Sequence, residues 1–425
     1  MALALERVTR IELAFSAWEA DVLPLNYTRV ETARSLARNP VRGPLRHESI
    51  GKQRIARVAV AARLSKGVAM LNIERGPRRR RSIKSAGAVI ATVMAAAVVV
   101  PATGSGASVP RAGSSKAAKA ALRIIIDTDL SLYWDDVTAI GMANVLQNQG
   151  KVKILGIVSD VKNPVAVAAI DAIDTAYGHK NIPVGAVAGS AADTARHGYT
   201  DELASRLPHK IKSSADAPGA VSLYRRLLAS QPDHSVIMVS IGGYTNLAGL
   251  LRSKAGQGSK LGGRALVTRK VTRLVIEDGL FVPTGGNNPP FTNQKIDLAA
   301  ASEVLNGAGW PTPMEWVDGF TGINTQVGGT LCTTVPAKNP MRIVYEKLFG
   351  CGPPKDGDWD GPTMLYAISG RSTIFSELGQ GGAAVINPNG GLTWKIPSSR
   401  PHDVYVHVAD QPTLNQRIEA LLTTG

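Results

Sequence analysis

The stretch Ile124-Ile125-Ile126-Asp127-Thr128-Asp129, followed by Asp135-Asp136, constrains this chain more than any other. A short apolar run ends, and four carboxylates arrive within ten residues. That pattern predicts a buried parallel strand that delivers acids to its C-terminal end, where open α/β sheets bind their ligands. Crowded acids repel one another, and unpaired they push pKa values up. A hard cation such as Ca²⁺ relieves that repulsion through carboxylate oxygens. The competing explanation is a helix N-terminus decorated with Asp for capping and dipole reasons. The helical run Val137–Leu146 leads away from the acids.

A chain of 425 residues has room for more than one domain, and its formal charge of +15 raises nucleic acid as a partner. The distribution argues against that. Residues 1–107 carry 18 of the 48 basic residues and 7 of the 33 acidic ones, so the body is near neutral. No basic stripe interleaved with aromatics is present, and nucleic acid is excluded as the expected partner. Arg78-Arg79-Arg80-Arg81-Ser82-Ile83-Lys84, the apolar run Ala86–Val100 and the small residues Pro101–Ser108 have the order of a signal peptide. Cleavage is expected near Ala107 or at Ala102, leaving no stable membrane span and a secreted or cell-envelope location. An uncleaved anchor or a buried helix is the alternative. Arg80-Arg81 leaves both twin-arginine and Sec export open. A signal peptide starting at residue 78 suggests that translation begins at Met70. Residues 1–77 are therefore unassigned, 78–107 form the signal peptide, 108–122 a flexible Ala/Ser/Gly/Lys linker, and 123–425 the functional domain.

Along that domain, Val152–Val158, Ile182–Val187, Val236–Ile241 and Leu274–Gly279 are strand candidates, and Ala166–Tyr177 and Gln411–Leu422 helix candidates. The alternation predicts an α/β fold: an open, mainly parallel, Rossmann-like sheet with helices on both faces. Residues 188–220 read as a polar loop with two of the seven histidines, His197 and His209, which receive no role. Cys332 and Cys351 are the only cysteines. An even pair in an exported chain predicts a disulfide, worth about 3 kcal/mol in the chain-entropy model; two buried thiols are the alternative.

The acid stretch resembles the inosine–uridine preferring nucleoside hydrolase family, whose first strand ends in an Asp-x-Asp … Asp-Asp motif that holds Ca²⁺. The wider spacing from Asp129 to Asp135 is similar to a bacterial variant that carries Gly and Asp where this chain has Ser131 and Tyr133. Gly242-Gly243-Tyr244-Thr245-Asn246 resembles the family's Gly-Pro-Leu-Thr-Asn turn, in which Thr and Asn also suit a helix cap. Glu277-Asp278-Gly279 stands where the family has Met-Gly-Gly. Asn293 and the helix-capping Asp297 match the next block, whereas Phe291 replaces a Glu that helps hold the sugar. Asp358-Trp359-Asp360-Gly361-Pro362 matches the helix that brings the last calcium ligand.

The resemblance implies calcium-dependent hydrolysis of the N-glycosidic bond of nucleosides. Asp129, Asp136, Asp360 and the Ile241 carbonyl would hold the Ca²⁺, and Asp129 would be the general base. Asp135, Asn163 and Asn293, with Asn287 or Asn288, would hold sugar hydroxyls; a turn residue before Pro164 is the other reading of Asn163. Trp359 stands where many members have a proton-donating His. Purine-specific members share that arrangement, with the Trp stacked on the base; core packing is the alternative. Phe291, Glu277 and Tyr133 keep open an exported binding protein of the same fold that has lost turnover. Relatives form dimers or tetramers, but no interface is legible in the sequence.

Overall fold

The computed structural model describes residues 120–188, 198–282, 285–287, 290–352, 354, 356–398, 400 and 402–424. The leader, the residues before it, nearly all of the linker, His197 and Asn288 lie outside them. In chain order the elements are β1 (Leu122–Thr128), α1 (Asp135–Asn148), β2 (Val152–Ser159), α2 (Ala166–Ala176), β3 (Val184–Ala186), α3 (Tyr199–Arg206), α4 (Ala220–Ala229) and β4 (Val236–Ile241). Next come α5 (Thr245–Arg252), α6 (Gly263–Lys270), β5 (Val271–Glu277), β6 (Gly286–Asn287), α7 (Thr292–Ile296), α8 (Leu298–Leu305), β7 (Met314–Val317) and α9 (Gly319–Ile323). The chain finishes with α10 (Leu331–Thr334), α11 (Pro340–Phe349), α12 (Asp360–Ser369), β8 (Phe375–Ile386), β9 (Leu392–Lys395), β10 (Asp403–Val408) and α13 (Gln411–Leu422).

The strands form one sheet in the order β3-β2-β1-β4-β5-β7-β10-β8-β9-β6. From β3 to β10 every pairing is parallel; β8, β9 and β6 add an antiparallel extension. The expected open, mainly parallel α/β architecture is therefore present, with helices on both faces. Side chains alternate along a strand, so β1 feeds two cores. Ile124 and Ile126 pack with α1, α2, α11, α12 and α13, while Ile125 packs with α4, α5, α6 and α8 on the opposite face. All three isoleucines are fully buried, each stabilising the fold by roughly 1.5–3 kcal/mol. A strand buried on both faces reads as a continuous apolar run, which is why β1 and β4 stood out in the sequence.

The topology positions the site. From β1 the chain steps outward to β2 and β3, then returns to place β4 on the other side of β1. Such a reversal opens a crevice beyond the C-terminal ends of the two diverging strands. Thr128 at the end of β1 is level with Ser159 of β2 and Ile241 of β4, so three strands end at one rim.

Three expectations need correction. β1 begins at Leu122, inside the stretch read as linker, because the Leu122 amide already bonds Lys151 O at 3.0 Å. The segment 188–220 is not all loop: it contains α3, whose Tyr199 is fully buried and donates its hydroxyl to the Tyr133 carbonyl. And Asn246 does not cap α5. Its Nδ2 instead ties Asp127 Oδ1 (3.2 Å) to Ser159 O (3.1 Å), locking β1 to β2.

Cys332 and Cys351 are joined as expected, linking α10 to the residue after the left-handed Gly350 that ends α11. The same helix braces the acid loop: Trp134 packs edge-on against Tyr345 and Phe349, with ring centroids 5.1 and 5.2 Å apart. Among the described residues, no helix is long and apolar enough to cross a membrane. The Cys332→Ser, Cys351→Ser double variant should lose about 3 kcal/mol of stability, read as a lower urea midpoint with a steeper slope, because the uncrosslinked unfolded chain is less compact.

Candidate functional site

β1 splits its acids between two environments. Asp127, on the same face as Ile125, is buried and accepts hydrogen bonds from the Tyr224 hydroxyl and Asn246. Asp129 lies just past the strand end, where the charges of Asp136, Asp160 and Asp135 act on it, but it is not part of the close cluster that follows. The carboxylate oxygens of Asp135, Asp136 and Asp360 can be chosen so that all lie within 4.8 Å of one another. The sequence places Asp360 at the head of α12, far along the chain, and the fold brings it to the first turn of α1. The Trp359 amide completes the join by donating to Asp135 Oδ2 at 3.0 Å, across 224 positions.

These acids are poorly compensated. Asp129, Asp135, Asp136 and Asp360 are 3, 5, 0 and 4% exposed. Asp129 Oδ2 and Asp136 Oδ2 have no hydrogen-bond partner, although Thr128 Oγ1 donates to Asp136 Oδ1. Among the described residues, no lysine or arginine hydrogen-bonds or ion-pairs with any of the four. Burial, then neighbouring carboxylates, push Asp129, Asp136 and Asp360 well above the ordinary range. Burial also raises Asp135, to about 6, against the pull of the Trp359 amide. Buried oxygen donors without partners in an all-carboxylate cluster fit a hard divalent cation, which takes several such oxygens and cancels their repulsion. The Cys332–Cys351 sulfurs near Glu346 do not make a second such site, because they are bonded to each other.

The loop between Asp129 and Asp135 is held open by a strained residue. Ser131 has φ of 136°, a conformation that favours glycine. The Tyr199 hydroxyl meets the Ser131 amide at 2.7 Å and Asn163 Nδ2 meets Ser131 Oγ at 2.7 Å. Asn163 also donates to Thr200 Oγ1 and accepts from the Val165 amide. Fully buried and so engaged, Asn163 organises the turn and the acid loop; a sugar contact would require these bonds to open. Tyr133 reaches across to Thr292 Oγ1 at 2.9 Å, joining the acid loop to α7.

Ile241 ends β4 at the level of Thr128, and Gly242 follows. A Cβ on Gly242 would stand 2.7 Å from the Asp129 amide nitrogen and 2.7 Å from Asp160 Oδ2. Only glycine permits that approach. Asp160 was passed over as a loop residue, yet it is an acid at the end of a parallel strand, the signal used for β1. It is fully buried, and neither of its oxygens has a hydrogen-bond partner of good geometry. Burial raises it to about 7, although the nearby Gly243 amide pulls the other way.

The replaced motif positions prove to be partners. Tyr244 donates to Asp278 Oδ2 at 2.5 Å, and Gln294 Nε2 and the Gly279 amide bond Asp278 Oδ1. Asn293 Nδ2 donates to the Glu277 carboxylate at 2.9 Å and to its carbonyl at 3.1 Å. Asp297 caps α8 through the Ala300 amide, as expected. Trp359 lies against Gly322, and its Nε1 donates to Gly319 O at 2.9 Å. Its indole N–H is thus committed to the protein. Asp358, also passed over, holds the Gly361 amide at 2.7 Å and so starts α12.

No family model matches the sequence, and no curated protein matches it either. Solved structures do. An inosine–uridine preferring nucleoside hydrolase from Bacillus anthracis superposes with a TM-score of 0.55 at 13% identity, over 72% of this chain and 100% of that one. The chain has the nucleoside hydrolase fold. An inosine–guanosine nucleoside hydrolase is similar at a TM-score of 0.54 and 18% identity, over 71% of this chain and 98% of that one. The plant nucleoside hydrolase PpNRh1 gives 0.52 and 16%, over 72% and 99%, and the effector protein XOO4466 gives 0.52 and 15%, over 72% and 93%.

Two outcomes follow. A carboxyl whose folded pKa exceeds its unfolded value stabilises the protein below the unfolded value and loses that contribution as pH rises through the folded one. Cation-free protein should therefore lose thermal stability as pH climbs through about 6 and about 7, the values of Asp135 and Asp160, and added Ca²⁺ should restore it above that range. A melting temperature flat in both pH and Ca²⁺ would contradict this. Second, Gly242→Ala should lower cation affinity at least tenfold in calorimetry, because the clash falls on the Asp129 backbone, which cannot swing aside.

Proposed function

We propose that the protein is an exported, calcium-dependent hydrolase that cleaves the N-glycosidic bond of nucleosides, with a purine preference. The observation that carries this is the convergence of Asp135, Asp136 and Asp360 at one point of the crevice in a nucleoside hydrolase fold. Asp136 and Asp360, grouped in the structure with Asp135 rather than Asp129, would bind Ca²⁺ together with Asp129 and the Ile241 carbonyl; when bound, the ion would acidify and orient the attacking water.

The chain's own residues would do the rest. Cleavage develops oxocarbenium character on the sugar, which a site rich in carboxylates stabilises. Water forms the new bond to C1′, its proton passes to Asp129, and the electrons of the breaking C–N bond leave with the base. Asp129 suits the role by position: it is buried just past the end of β1, among the acids that would hold the ion. Asp135, fixed by the Trp359 amide, and Asn293, fixed on Glu277, would receive sugar hydroxyls. Trp359 would stack on the base through its ring, and the base would take its proton from solvent. Asn163 would serve by holding Ser131. Asn288 would add a hydroxyl contact.

Phe291 favours a second reading, a nucleoside-binding protein that does not turn over. It occupies the position of a sugar-holding Glu in the resembled family, and its ring lies near Gly319. Reducing-sugar release from a panel of purine and pyrimidine nucleosides separates the two. The hydrolase should release sugar from purine nucleosides, and EGTA should abolish release. Asp129→Ala should lower kcat by at least about 100-fold, the scale of a lost general base. Asp136→Ala and Asp360→Ala should each lose the ion in calorimetry. Nucleoside affinity without any sugar release would establish the binder.

A further inference from the structure

The C-terminal end of β5 carries a carboxylate that the steps above leave unused. β5 lies between β4 and β7, and Glu277 is its last residue, at the rim where β1 and β4 also end. The carboxyl faces the site. Burial, then the charges of Asp278, Asp135, Asp318 and Asp136, push it well above the ordinary carboxylate range, and it acts in turn on Asp360. Its direction is fixed by Asn293, whose Nδ2 bonds both Glu277 Oε2 (2.9 Å) and Glu277 O (3.1 Å). Among the described residues, Asn293 is the one side chain that donates to this carboxylate. A carboxylate has room for about four hydrogen bonds, so acceptor capacity remains.

We propose that Glu277 is a specificity-determining residue that accepts a hydrogen bond from one hydroxyl of the substrate's sugar, with Asn293 as the residue that aims it. The inference rests on the hydrolase reading of the site and names how that site holds its sugar. Two features carry it. Glu277 ends β5 at the rim that carries the site acids, and the charge of Asp135, the acid assigned to sugar hydroxyls, acts on it. Its carboxyl, aimed by Asn293, keeps room to accept from a hydroxyl, and a ligand lacking that hydroxyl forfeits the bond.

The test is a set of cycles between protein and ligand variants, using Ca²⁺-loaded wild type, Glu277→Gln and Glu277→Ala. The probes are inosine and its 2′-, 3′- and 5′-deoxy forms, read as kcat/KM, or as Kd by calorimetry if the protein binds without turnover. Glu277→Ala should weaken inosine by about ten- to a hundredfold, the range for leaving a buried hydrogen-bonding partner unpaired. For one of the three deoxy analogues, the same variant should lose nothing further, since that analogue lacks the partner. Glu277→Gln keeps an acceptor for Asn293 and for the hydroxyl, so it should fold like wild type and fall between the two. Equal losses for inosine and all three analogues would make Glu277 merely structural and overturn the proposal. So would an unchanged inosine value, or loss of Ca²⁺ from Glu277→Gln, which would make the residue a ligand of the ion. Wild-type protein that neither binds nor cleaves any nucleoside would overturn the hydrolase reading itself, and this inference with it.

Discussion

The structure is built around negative charge that it cannot neutralise by itself. Parallel strands end at one rim, and the chain loads that rim with carboxylates, then buries them. Taking an ionised carboxylate out of water without a partner is prohibitive, so each group must either keep a proton or share a cation. Thr128 and the Trp359 amide each answer one oxygen of Asp136 and Asp135, but the oxygens left without partners are answered by nothing in the described chain. Everything near the rim is arranged so that the acids stay close: Gly242 removes a side chain, Ser131 accepts a strained backbone, and Asp358 starts the helix that presents Asp360.

The division of labour between Asp127 and Asp129 comes from the pleat. Two residues apart, they would share a face on a continuing strand. Because β1 stops at Thr128, Asp129 leaves the ladder while Asp127 stays in it, facing Tyr224 and Asn246. One acid thus ties strands together and the other lies past the strand end, where the site acids act on it.

Much of this was legible in the sequence where the signal is local. β1, β4 and α13 are uniform in pattern, and the acids of the first strand and of Trp359-Asp360 carry their own spacing. The antiparallel extension was not legible. β9 has only four residues and β6 two, and β8 is interrupted by Gly379, Gly381 and Gly382. α3 hides in a polar stretch because only Tyr199, Thr200 and Leu203 of it are buried. In the site, what escaped was pairing across distance. Tyr244, Asp278 and Gln294 look like three unrelated departures from a motif until the fold makes them one hydrogen-bonded cluster. Glu277 and Asn293 are the same case: each residue is visible, but their contact exists only once β5 and α7 meet.

The two outermost strands of the ten-stranded sheet are its shortest, with three residues in β3 and two in β6. A free strand edge is a template on which another polypeptide can add its own backbone ladder, and proteins blunt such edges by keeping them short. At both margins of this sheet the described chain offers only a few open amides and carbonyls. Lateral continuation of the sheet by another chain is therefore disfavoured at these two strands.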